Sequence, residues 1–142
     1  MRIVLDASMT MAWQLKRTDR NEATLAQRAL KSVESDGAVV PSLWYPEVTN
    51  ALLVAERARV LPPQDSATFL ADLEKLEIAT DTASPGAIQP SILALGRSWG
   101  LTGYDAVYLE LVLRAGSTLA TFDRQLAVAA RKAGGRVFGD RA

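Results

Sequence analysis

Short apolar runs alternate with longer amphipathic stretches along the whole chain. The short runs are typical of buried strands, whose two faces both meet apolar neighbours. We predict five such strands, at residues 2–5, 38–40, 77–79, 118–121 and 136–138. Between the strands, apolar residues recur at spacings of three and four, the period of an amphipathic helix. These helical patterns cover residues 23–33, 48–55, 69–76 and 88–99.

The alternation of strands and helices predicts an α/β fold, in which helices cover both faces of a central, mostly parallel, five-stranded sheet. Gly116 and the pair Gly134–Gly135 stand where helix C-caps are expected, each just before a predicted strand. The pair Pro62–Pro63 predicts a turn between two helices. Because the chain of 142 residues contains no linker, repeat or low-complexity tract, we expect one domain over 1–142.

The residue inventory excludes several kinds of chemistry. The sequence has no histidine and no cysteine, so it has no histidine base, cysteine nucleophile, redox pair or Cys/His zinc site. It also lacks the glycine-rich signatures of Rossmann and P-loop nucleotide sites. Catalysis by this chain must therefore use carboxylates, hydroxyls, amines or a hard metal ion.

Neither a signal peptide nor a membrane span is expected, because Asp6 interrupts the first apolar run and no run approaches ~18–20 residues. The absence of cysteine suits a reducing compartment, so we expect a cytoplasmic protein. The net charge is zero, but residues 114–142 hold six bases and two acids, a local charge of +4. A basic region of this kind is typical of contact with nucleic-acid phosphates, although it is also compatible with a solvated surface.

Four acids are expected near the carboxyl ends of the strands, where ligands bind in an open parallel sheet. They are Asp6 after the first strand, Glu47 after the second, Asp105 at the start of a helix, and Asp123 after the fourth strand. For the last three, stabilisation of a helix N-terminus is an alternative explanation that requires no metal or substrate. Asp6 is harder to explain in that way, because Ser8 already offers a capping oxygen and an acid at the end of a buried strand is costly unless paired.

A group of carboxylates without a nearby lysine or histidine repels itself, and needs protonation or a cation. Ligands that are all oxygen atoms favour Mg²⁺ or Mn²⁺, and such a site suits phosphodiester hydrolysis. Neighbouring polar groups can orient ligating carboxylates, and we expect this role for Ser8, Asn50 and Thr121. Arg124 could hold a scissile phosphate or could be an ordinary surface arginine.

The segments around the four acids resemble the PIN domain, and in particular its VapC-type toxin branch. They are Asp6-Ala7-Ser8, the segment EVTNAL at 47–52, YDAVYL at 104–109 and TFDRQL at 121–126, followed by AARKAG at 129–134. Each motif alone is weak, but four of them in order with fitting gaps are specific. The resemblance covers essentially the whole chain.

The resemblance implies a PIN-like α/β/α sandwich and a Mg²⁺- or Mn²⁺-dependent endoribonuclease, the toxin of a type II toxin–antitoxin pair. Asp6, Glu47, Asp105 and Asp123 would form the catalytic, metal-binding quartet, with Asp6 and Asp105 as the most direct ligands. The partners implied are an RNA substrate, a second copy of the chain and a small antitoxin that blocks the site, often with a basic side chain. Two alternatives remain open: a PIN nuclease of RNA processing, and a catalytically silent binding module whose acids only cap helices.

Overall fold

The computed structural model describes residues 2–141, so that Met1 and Ala142, the ends of the predicted domain, lie outside the described residues. The strands are β1 (Ile3–Leu5), β2 (Ala38–Val40), β3 (Ile78–Thr80), β4 (Thr118–Ala120) and β5 (Arg136–Val137). The helices are α1 (Ala7–Met11), α2 (Arg20–Asp36), α3 (Trp44–Arg57), α4 (Pro63–Glu74), α5 (Pro85–Trp99), α6 (Gly103–Ala115) and α7 (Arg124–Lys132). The five predicted strands are confirmed to within one residue at each end.

The sheet has the order β3-β2-β1-β4-β5, and each described pair of strands is parallel. The chain proceeds from β1 outward through β2 to β3, and then returns to the other side of β1 for β4 and β5. The strand order therefore reverses between β1 and β4, which is the place where open α/β sheets bind ligands. In this register Leu5 lies beside Ala120, so the residues that follow them, Asp6 and Thr121, leave the sheet side by side.

Two apolar layers flank the sheet, because alternate residues of a strand point to opposite faces. Ile3 and Leu5 pack in one cluster with residues of α1, α2, α3 and α4. Val4 packs in the other cluster with residues of α6 and α7. The predicted three-layer α/β/α sandwich is thus confirmed.

Several helix ends follow local sequence signals. Gly116 is the C-cap of α6, with the left-handed φ of 60° that favours glycine. Pro63 begins α4, where its missing N–H costs no hydrogen bond, and the predicted turn at Pro62–Pro63 is confirmed. At the end of α7 the C-cap is Ala133, and Gly134 follows it with a φ of 90°.

Helix α5 differs from the other long helices because none of its residues is buried. It packs against α6, yet the side chain of Leu93 on its outer surface is 55% exposed. Over residues 2–141, no helix is both long and apolar enough to span a lipid bilayer.

Candidate active site

Asp6 lies at the end of β1 and is only 5% exposed. Its Oδ1 accepts hydrogen bonds from the Met9 N–H at 3.0 Å and from the Ser8 hydroxyl at 2.7 Å, and its Oδ2 accepts one from the Thr121 hydroxyl. Asp6 is therefore the N-cap of α1. The expectation that Ser8 caps this helix is wrong, because Ser8 Oγ instead donates to Asp6 and accepts from the Phe122 N–H at 2.8 Å.

The environment of Asp6 penalises its charged form. Burial raises the pKa of Asp6 to about 6, the hydrogen bonds from Thr121, Met9 and Ser8 lower it, and the charge of Asp123 raises it further. Desolvation is the largest of these effects, as expected for a carboxylate removed from water. The three donors compensate for part of that cost and hold the carboxylate in one orientation.

Thr121 joins the ends of β1 and β4. Its hydroxyl donates to Asp6 and accepts from the Asp123 N–H at 2.9 Å. Asp123 is the N-cap of α7, because its Oδ1 accepts from the Leu126 N–H at 2.9 Å. Within residues 2–141 the second oxygen of Asp123, Oδ2, accepts no hydrogen bond. Asp123 thus caps α7 with Oδ1, and its Oδ2 can bind a ligand.

Glu47 lies in the first turn of α3 and is held by a residue of α6. The Tyr108 hydroxyl donates a hydrogen bond of 2.5 Å to Glu47 Oε1, and Tyr108 is only 2% exposed. Burial and the Glu47 carboxylate raise the pKa of the Tyr108 phenol, so it remains a donor. Sequence analysis missed Tyr108, although its place three residues after Asp105, on the same face of α6, is a signal that could have indicated it.

Asp105 lies in the first turn of α6 but does not cap it. The N-cap is Thr102, whose hydroxyl accepts from the Asp105 N–H at 3.1 Å. Within the described chain the Asp105 carboxylate has neither a hydrogen bond nor an ion pair. Partial burial raises the pKa of Asp105, and the charges of Asp123 and Glu47 raise it further. Helix capping therefore does not explain why an acid occupies position 105.

Asp6, Glu47, Asp105 and Asp123 form what we call the acidic cluster, because their charges act on one another. Asp123 raises the pKa of both Asp6 and Asp105. Within residues 2–141 no member of the cluster forms an ion pair with a lysine or arginine. However, within residues 2–141 no three acidic side chains are already arranged so as to hold a metal ion. The acids therefore interact through their charges, but their side chains are not arranged as a set of ligands around a metal ion.

The other predicted site residues differ in their placement. Ser8 and Thr121 bind Asp6 directly, as expected of groups that orient a carboxylate. Asn50 is exposed, and its side chain forms no hydrogen bond with the acids or with any other group within residues 2–141. Arg124 is the exposed first residue of α7, next to Asp123, and has no ion pair in the described part of the chain.

No family model matches the chain. The chain is, however, 30% identical over 127 residues to Ribonuclease VapC3 of Pyrobaculum aerophilum, a match that covers 89% of this chain and 93% of that protein. The chain belongs to the VapC family of PIN-domain proteins. The family predicted from the four motifs is therefore confirmed.

The fold of this VapC-type chain is similar to two crystal structures. PAE2754 of Pyrobaculum aerophilum matches with a TM-score of 0.65 and 21% identity, over 91% of this chain and 84% of that one. FitAcB of Neisseria gonorrhoeae matches with a TM-score of 0.59 and 20% identity, over 96% of each chain. At these identities the likeness concerns the fold alone.

Proposed function

We propose that this VapC-type chain is the toxin of a toxin–antitoxin pair, a single PIN-like domain that hydrolyses RNA phosphodiester bonds with Mg²⁺ or Mn²⁺. The acidic cluster is the observation that carries the proposal. Its four carboxylates come from four separate segments at the switch in strand order, and neighbouring acids of the cluster raise the pKa of Asp6 and of Asp105. The relative VapC3 is by its name a ribonuclease.

The donor set of the acidic cluster suits a hard divalent cation, because it contains oxygen ligands alone. Within residues 2–141 the Asp105 carboxylate accepts no hydrogen bond, and neither does Oδ2 of Asp123. Asp6 and Asp105 would be the most direct ligands, with Glu47 and Asp123 completing the set. Since no three acids are yet arranged to hold an ion, some of these side chains would reorient when it binds.

A bound ion of this kind supplies a water of lowered pKa and stabilises an oxygen that leaves a phosphodiester. The chain's own residues prepare the site for it. Thr121 and Ser8 hold the carboxylate of Asp6, and Tyr108 holds that of Glu47. Arg124, exposed beside Asp123, would bind a phosphate of the RNA.

Metal-dependent cleavage of a mixed-sequence RNA tests the proposal. We expect the wild-type chain to cleave with Mg²⁺ or Mn²⁺ but not with EDTA, and Asp105→Asn to be inactive in both. The matched control is Asp65→Asn, since Asp65 is also the third residue of a helix and is exposed far from the cluster in sequence. A wild-type chain that cleaves no RNA with either ion would contradict the proposal and favour the silent binding module.

A toxin and a nuclease of RNA processing differ in their effect on the cell. A toxin should arrest growth when it is expressed alone, and a small protein encoded next to it should relieve the arrest. We expect that antitoxin to place an arginine or lysine against the acidic cluster, whose members form no ion pair within residues 2–141. A complex in which the partner leaves all four acids open to solvent would contradict this expectation.

A second copy of the chain is the partner we propose for α5. This helix has no buried residue, and Leu93 on its outer, apolar face is 55% exposed. Burial of such a face against its own copy is a common solution in symmetric dimers. Leu93→Glu should convert a dimer to a monomer in sedimentation experiments, and a monomeric wild type would contradict the proposal.

A further inference from the structure

Side chains of α6 form hydrogen bonds with other elements at two places in the described part of the chain. One is the bond from Tyr108 to Glu47 at the acidic cluster. The other lies in the last turn of the helix, where Arg114 binds Asp81, the residue that follows β3. We propose that Arg114 is a positioning residue, which fixes α6 so that Asp105 and Glu47 can bind the divalent ion. This inference rests on the proposed metal-dependent function and adds to it a residue that lies outside the site.

The guanidinium of Arg114 binds two carboxylates at once. Its Nη1 and Nη2 donate to the two oxygens of Asp81 at 3.1 and 2.6 Å. Its Nε and Nη2 donate to the two oxygens of Glu110 at 2.8 and 2.9 Å. Glu110 lies one turn earlier on α6 and is only 6% exposed. Because a planar guanidinium with forked bonds on two sides has a defined orientation, Arg114 fixes α6 with respect to Asp81.

Asp81 is itself attached to the sheet. Its N–H donates to the Val40 carbonyl of β2 at 2.7 Å, and its Oδ1 also accepts from the Ala83 N–H at 3.3 Å. The hydrogen bonds from Arg114 lower the pKa of Asp81, so it remains charged at neutral pH. Since Glu47 follows β2 and Asp81 follows β3, both side-chain connections of α6 lead to the same half of the sheet.

The position of α6 determines the position of Asp105. The Asp105 carboxylate has no hydrogen bond within the described chain, so only the helix holds it in place. Arg114 is nine residues further along α6, roughly 13 Å along the helix axis, and therefore acts through the helix. The apolar packing of Leu109 and Val112 is not directional and does not specify one rotation of α6. A forked ion pair does, even where its net contribution to stability is small.

Binding of Mn²⁺ in the absence of RNA tests this inference. The electron paramagnetic resonance signal of free Mn²⁺ gives the dissociation constant, at a temperature where each variant is folded. We expect Arg114→Gln and Asp81→Asn each to bind Mn²⁺ about 10-fold more weakly than the wild type, the size of effect seen when a group that orients metal ligands is lost. A pair that served stability alone would leave the affinity of the folded protein unchanged.

The direction of the two changes separates positioning from charge. Loss of the positive charge of Arg114 would by itself strengthen the binding of a cation, whereas loss of the negative charge of Asp81 would weaken it. Electrostatics alone therefore predicts opposite changes, and positioning predicts two losses. Arg114→Lys, which keeps the charge without the fork, should also bind Mn²⁺ more weakly. In the double variant the losses should not add, because either substitution removes the same pair.

The matched control is Asp72→Asn, which removes a carboxylate from an exposed ion pair with Lys75 at the end of α4. It should bind Mn²⁺ as the wild type does. If Arg114→Gln does not melt cooperatively, Asp81→Asn and Arg114→Lys provide the comparison, since Glu110 keeps a charged partner in both. Variants that bind Mn²⁺ as tightly as the wild type, or a wild type that binds no Mn²⁺, overturn the inference. The proposed function has a separate test, since it fails only if metal-dependent cleavage of RNA is absent.

Discussion

The hydroxyl of Tyr108 donates a hydrogen bond of 2.5 Å to the carboxylate of Glu47, and this bond connects α6 to α3 at the acidic cluster. Asp105 lies three residues before Tyr108, on the same face of α6. One helix therefore supplies an acid of the cluster and positions another acid that belongs to a different helix. A displacement of α6 would disturb both carboxylates at once.

Loss of the Tyr108 hydroxyl should reduce catalysis more than stability. A hydrogen bond to a charged group contributes about 1.5–3 kcal/mol, but Glu47 is only half-buried and can be hydrated when the bond is lost. We expect Tyr108→Phe to lower kcat about 10-fold and the free energy of unfolding by about 1 kcal/mol. Steady-state cleavage assays and urea denaturation would measure the two effects.

The control for Tyr108 lies on the same helix, because Tyr104 is 67% exposed and makes no hydrogen bond through its hydroxyl within residues 2–141. Tyr104→Phe should leave both quantities unchanged. In a double-mutant cycle, Tyr108→Phe should have little further effect on kcat in a Glu47→Gln background. Additive losses in that cycle would mean that Tyr108 does not act through Glu47.

Asp105→Asn should remove activity without loss of stability. The substitution keeps the shape of a side chain that makes no hydrogen bond within residues 2–141, and it removes one charge from a group of repelling charges. In EDTA the variant should therefore melt at the temperature of the wild type or above it. The wild type alone should gain about 2.7 kcal/mol when free Mn²⁺ is 100 times its dissociation constant. That gain corresponds to a rise in Tm of roughly 5–10 °C for a domain of this size.

Calorimetry of both proteins, with EDTA and with Mn²⁺, measures these four melting temperatures. Asp65→Asn again serves as the control and should respond to Mn²⁺ as the wild type does. If Asp105 were needed only for its helix, the variant would lose stability in EDTA, and Mn²⁺ would affect neither protein.

The buried carboxylate of Asp6 should make the metal-free fold less stable at neutral pH. Its pKa of about 6 in the folded state is above the value of about 3.9 for an unfolded chain. The folded state therefore binds more protons between pH 4 and pH 6, and the contribution of Asp6 to stability falls as pH rises through this window. A shift of about two pKa units corresponds to about 3 kcal/mol.

A comparison with Asp6→Asn isolates this effect from the other acids. In EDTA, the variant should gain about 2 kcal/mol in unfolding free energy over the wild type between pH 4 and pH 7. Urea denaturation at the two pH values measures the gain. A difference between the two proteins that does not depend on pH would contradict the raised pKa.

Two arginines of α7, Arg124 and Arg131, should contribute unequally to RNA binding. Arg124 has no ion pair within the described residues, whereas Arg131 is held by Asp140 at 2.7 and 3.0 Å. Arg124→Gln should reduce the slope of log affinity against log salt by about 0.7, the value for one phosphate contact of a single strand. Arg131→Gln should reduce it by less, and Arg57→Gln, at the far end of α3, should not change it. If the wild type and the three variants have equal slopes, Arg124 makes no contact with an RNA phosphate.

The sequence predicted the elements of the fold well, because buried strands and amphipathic helices leave periodic patterns. Helix α1 was not predicted, since its five residues are too few to establish a period of 3.6. The choice of Asp6 over Ser8 as its cap was also missed. That choice depends on the backbone at Asp6, which is extended, with φ −94° and ψ 170°, and this geometry cannot be inferred from residue types.

The four acids were predictable because each follows a strand or begins a helix, and parallel strands bring their carboxyl ends to one edge. Their partners were not predictable in the same way. The Tyr108–Glu47 bond joins residues 61 positions apart, and the Arg17–Phe122 contact joins two loops that are distant in the chain. Such pairs depend on how the layers pack, and a single sequence carries no periodic signal for them.

The pairing of β1 with β4 has a consequence for the time at which the site appears during synthesis. Asp6 meets Thr121, 115 positions later, only when β4 has inserted beside β1. A nascent chain with every element up to α5 still lacks Asp105, Asp123 and the hydroxyl that holds Asp6. Translation thus delays assembly of the acidic cluster until the segment through Asp123 has left the ribosome. Until then, the growing chain lacks the complete site that the proposed cleavage of RNA requires, so the message that encodes it is not yet a substrate.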